Sequence, residues 1–202
     1  MATISQTSNK DLMTRARASL KGKWGLGVGI HAFWFLLSAI IGGITGGGSA
    51  LIQILIVGSI SLGIAEVFLT IARKGDSGFA RIFDGFKRFG TALGTYLLMV
   101  VFILLWSLLL IVPGIIAALS YSLAWYVLID DPAAGPTEAL STSKAMMRGN
   151  KWKMFCLYFR FTGWFLLCIP TVGIGLLWLC PYMQTSLAHF YEDIKHGAAV
   201  EF

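Results

Sequence analysis

The sequence predicts an all-α polytopic membrane protein: six transmembrane helices in three hairpins, each hairpin preceded by an amphipathic juxtamembrane helix. Three observations carry that prediction. Apolar runs recur along the chain at lengths near the roughly 20 residues that a spanning helix needs. Of the 202 residues, 56% are hydrophobic and only 13% charged, about half the charged fraction of a soluble domain. Fourteen of the sixteen Lys and Arg residues fall in three short segments between apolar runs. With a mean hydropathy of +0.75, this composition excludes a water-soluble enzyme, a disordered chain and a secreted disulfide scaffold.

Residues 1–23 are polar and form a cytoplasmic N-terminal segment, in which Leu12, Ala16 and Leu20 among Arg15, Arg17 and Lys21 suggest a weak amphipathic helix. The transmembrane domain covers 24–191, with helices at about 24–44, 50–72, 91–111, 115–129, 154–169 and 172–191. The fourth and fifth are short, near the lower limit for a full crossing. Turns are expected at 42–50, at 112–114 (Val-Pro-Gly) and at 169–173, none bearing a charge. Residues 192–202 form a polar tail. The basic segments contain Lys10 to Lys23, then Arg73 to Arg88, then Lys144 to Lys153. By the positive-inside rule they are cytoplasmic, which puts both termini inside a bacterial cytoplasmic membrane. Their expected partner is the anionic inner leaflet rather than nucleic acid, because no basic stripe is interleaved with stacking aromatics. A membrane-protein partner or a second copy of the chain is a further expectation.

Phe79, Ile82, Phe83, Phe86 and Phe89 recur at helical spacing, with Arg81, Asp84, Lys87 and Arg88 elsewhere on the turn. That pattern predicts a helix lying in the headgroup plane, its lipid-interface residues being the four phenylalanines with Arg81, Lys87 and Arg88; the alternative for the juxtamembrane helices is a cytoplasmic helix packed on the protein. A third juxtamembrane helix is expected from Pro136, well placed at a first helical position. The chain also carries a weak parallel repeat. Ala18-Ser-Leu-Lys-Gly-Lys-Trp24 matches Ala145-Met-Met-Arg-Gly-Asn-Lys-Trp152 with one insertion, and Ala65-Glu66-Val67-Phe68 aligns with Ala188-His189-Phe190-Tyr191.

Phe83-Asp-Gly-Phe86, Leu105-Trp106 through Ile111-Val-Pro-Gly-Ile-Ile116, and Ser143-Lys-Ala-Met-Met-Arg-Gly149 resemble a bacterial integral membrane family of unknown function, DUF975. Gly163-Trp164, Gly173-Ile-Gly175, Pro181-Tyr182 and Phe190-Tyr191 extend the resemblance over roughly 15–195. It implies a six-pass inner-membrane protein and supplies no catalytic residues. Arg160 departs from it, standing where an apolar or small polar residue is expected.

Charges inside apolar helices are costly and therefore point to function. His31, Glu66 and Arg160 lie eight, seven and seven residues from their nearest basic boundary residue, at a common depth of about 10–12 Å. They form the candidate intramembrane polar cluster, with Glu66 and Arg160 expected to pair. Ser59, Gly63, Glu66 and Thr70 make one stripe read as close helix packing, as do Gly25-x-x-x-Gly29, Gly42-x-x-x-Gly46 and Gly90-x-x-x-Gly94. Pro181, Tyr182 and Gln184 mark a kink that either lines a cavity or only shapes packing. His189, Glu192, Asp193 and His196 share a helix face, a weak metal pattern read as a solvated polar helix end. Asp130-Asp131-Pro132 reads as a helix stop. Cys156, Cys168 and Cys180 are expected to be buried and free. No phosphate loop, nucleophile elbow, zinc motif or redox pair is present, so no cofactor is expected. The expected function is a non-enzymatic membrane scaffold or accessory protein. The alternative is a small transporter or lipid-handling protein with an inward-facing cavity around Glu66, Arg160 and His31.

Overall fold

Ser8 opens the first helix: its side chain accepts from the Asp11 N–H at 3.1 Å, and α1 runs Asn9–Ser19. The computed structural model describes residues 4–45, 49–168 and 173–196. The expected turns at 42–50 and 169–173, with Gly46, and the far end of the tail (197–202) therefore lie partly or wholly outside the described residues.

The first hairpin is α2 (Trp24–Thr45) and α3 (Ser49–Ala72). A 3-10 helix follows at Phe79–Arg88, then α4 (Phe89–Leu109), α5 (Ile111–Tyr121) and α6 (Ala124–Asp130). α7 (Pro136–Met146) begins with proline in its first turn, and α8 (Lys151–Cys168) and α9 (Leu176–His196) close the chain. Among the described residues, four segments are long and apolar enough to cross a membrane: Trp24–Gly43, Gln53–Ala72, Phe79–Leu109 and Ile111–Asp130. They mark the chain as a membrane protein. α8 and α9 fall below that measure, since α8 carries Lys151, Lys153 and Arg160, and α9 ends in Glu192, Asp193 and Lys195.

Two turns differ from expectation. The second hairpin bends at Leu110, which is extended, while Val112-Pro113-Gly114 forms the first turn of α5. Proline tolerates that place because its missing N–H has no intrahelical partner there. The expected fourth helix is broken in two between Tyr121 and Ala124. Ser143 of α7, wholly buried, plugs the break: its hydroxyl donates to the Ser120 carbonyl (2.8 Å) and accepts from the Leu123 N–H (3.2 Å). A break in an apolar helix is tolerated where such a partner satisfies the opened backbone.

The repeat in the sequence is a repeat in geometry. α1 and α7 end on Leu20 and Met147, each fully buried, and the chain then turns through Gly22 (φ +83°) and Gly149 (φ +82°). The left-handed backbone at both glycines is costly for a residue with a Cβ.

α3 lies centrally, and the 3-10 helix packs backbone to backbone on it. A Cβ at Gly63 would sit 2.0 Å from the Ile82 carbonyl oxygen, and one at Gly85 would sit 1.9 Å from that of Ser59. The Ser59/Gly63 stripe is thus a packing surface, as expected. The glycine pairs mostly are not, although Gly94 meets Pro136 of α7, a Cβ there lying 3.0 Å from the proline ring. Gly25, Gly29, Gly42 and Gly90 face open space, and it is Gly27 whose missing Cβ admits Pro181. Spacing alone places glycines on a face and does not say whether another helix crosses there.

Candidate functional site

The expected polar cluster does not assemble. Glu66 is partly buried against the 3-10 helix, in a recess shared with Asp84, Lys87 and Arg88. Arg160 is exposed on α8 and forms no ion pair with Glu66. His31 is buried on α2, its Nδ1 3.0 Å from the Gly27 carbonyl and its ring 5.6 Å from Phe68. Equal depth along three helices left the angular position of each side chain open. The helix rotations send the three apart.

His31 instead lines a half-open cavity of about 590 Å³ between the helices. The helices round it form a closed ring of neighbours: α2 touches α3, α3 touches α4, α4 touches α5, α5 touches α8, α8 touches α9, and α9 touches α2. The cavity walls are largely aromatic and aliphatic, including Trp34, Ile60, Met99, Trp125 and Met183. Polar groups are few: His31, Ser61, Ser122, Tyr126, Tyr158 and Gln184. Apolar walls with a small number of polar groups, at several hundred Å³, are the ordinary make-up of a small-molecule site. Of the kink residues in α9 only Gln184 faces this cavity. Pro181 is buried against Gly27, while Tyr182 turns toward Arg17 (5.7 Å) and lies edge-on to Phe161. Thr185 and Ser186 donate to the Pro181 and Tyr182 carbonyls, each at 2.8 Å, rather than to the carbonyl that the proline frees.

The end of α9 is the second site, and here the sequence reading is overturned. His189, Glu192 and Asp193 are buried, not solvated. Asp193 accepts from the hydroxyls of Ser5 and Thr7 and lies 3.8 Å from Lys153. Glu192 lies 2.7 Å from Arg73, which also reaches Asp130 at 2.8 Å. Asp130 in turn accepts from Tyr191 (2.7 Å) and pairs with Lys195. Burial works against the Arg73 guanidinium, yet its hydrogen bonds to Glu192 and Asp130 raise its pKa above the ordinary arginine value. This clasp joins the N-terminal segment and the ends of α3, α6, α8 and α9. Among the described residues no group of His, Cys, Asp and Glu is arranged to hold a metal. His196, half exposed, lies 3.3 Å from Glu192. Asp130 does end α6, as its sequence suggests, and the clasp adds a second role.

The juxtamembrane helices also differ from expectation. Leu12, Ala16 and Leu20 are fully buried against the protein, so α1 does not offer them to lipid. In the segment Phe79–Arg88 the turn is 3-10, so residues three apart align. Ile82 and Gly85 point inward; Arg81, Asp84 and Lys87 form a charged row, with Lys87 2.6 Å from Asp84. Phe83, Phe86 and Phe89 form an outer row, 37–47% exposed, beside Phe79. Arg88 is spent on the protein, donating to the Leu128 and Pro132 carbonyls at the end of α6. The three cysteines are free, as expected, but half-buried.

No curated protein and no solved structure matches the chain. A family model described as a protein of unknown function (DUF975) matches residues 1–120 and 108–198, nearly the whole length. The chain therefore belongs to the DUF975 family of uncharacterised proteins.

Proposed function

We propose that this is a six-pass, non-enzymatic protein of the bacterial cytoplasmic membrane, with its basic end inside, that binds a small amphipathic or lipid-like ligand in the ring-enclosed cavity. The observation that carries the reading is the cavity itself, contributed to by all six long elements and lined by apolar walls with a few polar groups. His31 and Gln184 would orient the ligand's polar part. The cavity differs from the one expected around Glu66 and Arg160, neither of which lines it. α8 and α9 cross in this reading because they complete the ring, and their charges other than Arg160 lie toward one end. The exposed apolar residues Leu104 to Val112 and Trp164 to Leu167 suit a lipid surround at the far end.

The scaffold reading rests on the clasp, which fixes the basic end as one rigid surface. Native mass spectrometry of gently extracted protein separates the two. A defined small molecule retained by wild type and lost in Ala118→Phe or Ser61→Phe, both lining the cavity, with an unchanged melting temperature, supports ligand binding. Protein that comes through bare, or a ligand that both variants keep, contradicts it and leaves the scaffold.

A further inference from the structure

A second pocket, of about 780 Å³, opens at the basic end between α1, the close of α3 and α9. Arg15, Lys23 and Lys74 line it together with Ser19 and His189, and no carboxylate does. Ile71 and Ala72 supply apolar wall. The site is partly built. His189 is buried, and its Nε2 lies 2.9 Å from the Ser19 hydroxyl. Lys23 is held in place by donating to the Gly75 carbonyl at 2.6 Å.

The arrangement is selective about which charges it gathers. The nearby acids on α9 are engaged elsewhere: Glu192 with Arg73 and His196, Asp193 with Ser5, Thr7 and Lys153. Arg17, two residues from Arg15, turns away onto Tyr182. Three cations, a hydroxyl and an imidazole thus converge where α3 leaves its apolar span at Ala72.

We propose that this pocket binds a phosphate group carried on a larger body, either a phospholipid headgroup or a soluble phosphate compound. Guanidinium and ammonium groups are the side chains suited to phosphate oxygens. The volume exceeds what a bare phosphate fills, and the apolar wall suits the carrier. This site is separate from the ring cavity, and the proposal does not rest on the function proposed for that cavity.

The test uses the full chain. In nanodiscs mixing phosphatidylglycerol with phosphatidylcholine, native mass spectrometry reads preferential retention of the anionic lipid. In detergent, melting with sodium phosphate against sodium chloride at matched ionic strength reads a soluble source. We expect one of these to be positive for wild type. Binding should fall roughly ten-fold in Arg15→Gln/Lys74→Gln, but not in Lys21→Gln/Arg148→Gln, two exposed basic residues outside the pocket. Should the double variant fail to fold, Arg15→Glu alone tests the same loss on an exposed side chain. Absence of both signals in wild type, or equal loss in the outside variant, overturns the proposal.

Discussion

The basic-end halves of α3 and α9 align in the repeat, Glu66 against His189 and Phe68 against Tyr191, yet each is anchored by a different chemistry. α3 is held by shape. Gly63 and Gly85 remove two side chains so that the 3-10 helix lies directly on it, and Glu66 stays partly exposed at the margin. α9 is held by polar groups: Tyr191, Glu192, Asp193 and Lys195 reach the N-terminal segment, α6, α8 and the end of α3 through hydrogen bonds and ion pairs. A glycine contact tolerates no added atom, whereas a carboxylate contact tolerates volume change and depends on charge. The same position in two repeat units can therefore fail in opposite ways.

The largest effect should come from the shape-held helix. Gly63→Val places a Cβ 2.0 Å from a backbone oxygen, and expression followed by gel filtration should show no folded bundle. Next is Asp193→Ala, which takes the acceptor from the Ser5 and Thr7 hydroxyls and leaves Lys153 with Ser5 but no carboxylate. Loss of one partner of a buried charged pair should cost about 3 kcal/mol, read by denaturant titration. Ser143→Ala should cost about 1–2 kcal/mol, because the Leu123 N–H and Ser120 carbonyl at the break lose their partner. The smallest effect is a coupling near zero: Glu66→Gln and Arg160→Gln should add within about 0.5 kcal/mol in a double-mutant cycle, since one lies by the 3-10 helix and the other is exposed on α8. A larger coupling would restore the expected ion pair and break the contrast.

Much of this architecture was legible in the residues. Apolar run length placed α2, α3 and α4 within two residues at each end, and the Leu20/Met147 repeat located two turns that share one backbone form. Distance along each helix follows from spacing, because rise per residue is fixed. Rotation does not: each residue turns a helix by about 100°, so Glu66 and Arg160 at one expected level needed tertiary packing to say which way they face. The burial of Glu192 and Asp193 was hidden for a related reason. Their spacing gave a shared face, but the groups that cover it, Ser5, Arg73 and Lys153, come from distant parts of the chain. The break at Ser122 left no periodic trace, and its plug comes from α7, twenty residues on. A 3-10 segment likewise looks α-helical in sequence, since both periods align residues three apart.

The ring, and with it the cavity, requires α8 and α9 to cross the membrane. The most direct test is side-specific cysteine labelling in intact cells, with Cys156, Cys168 and Cys180 replaced by alanine. Ile174, 60% exposed just before α9, and Lys144 of α7, exposed at the basic end, are the two reporter positions. Ile174→Cys should react with a membrane-impermeant reagent from outside, and Lys144→Cys only after the membrane is opened. Reaction of both from the same side would mean that α8 and α9 do not cross, and the ring-enclosed cavity would not lie within the bilayer.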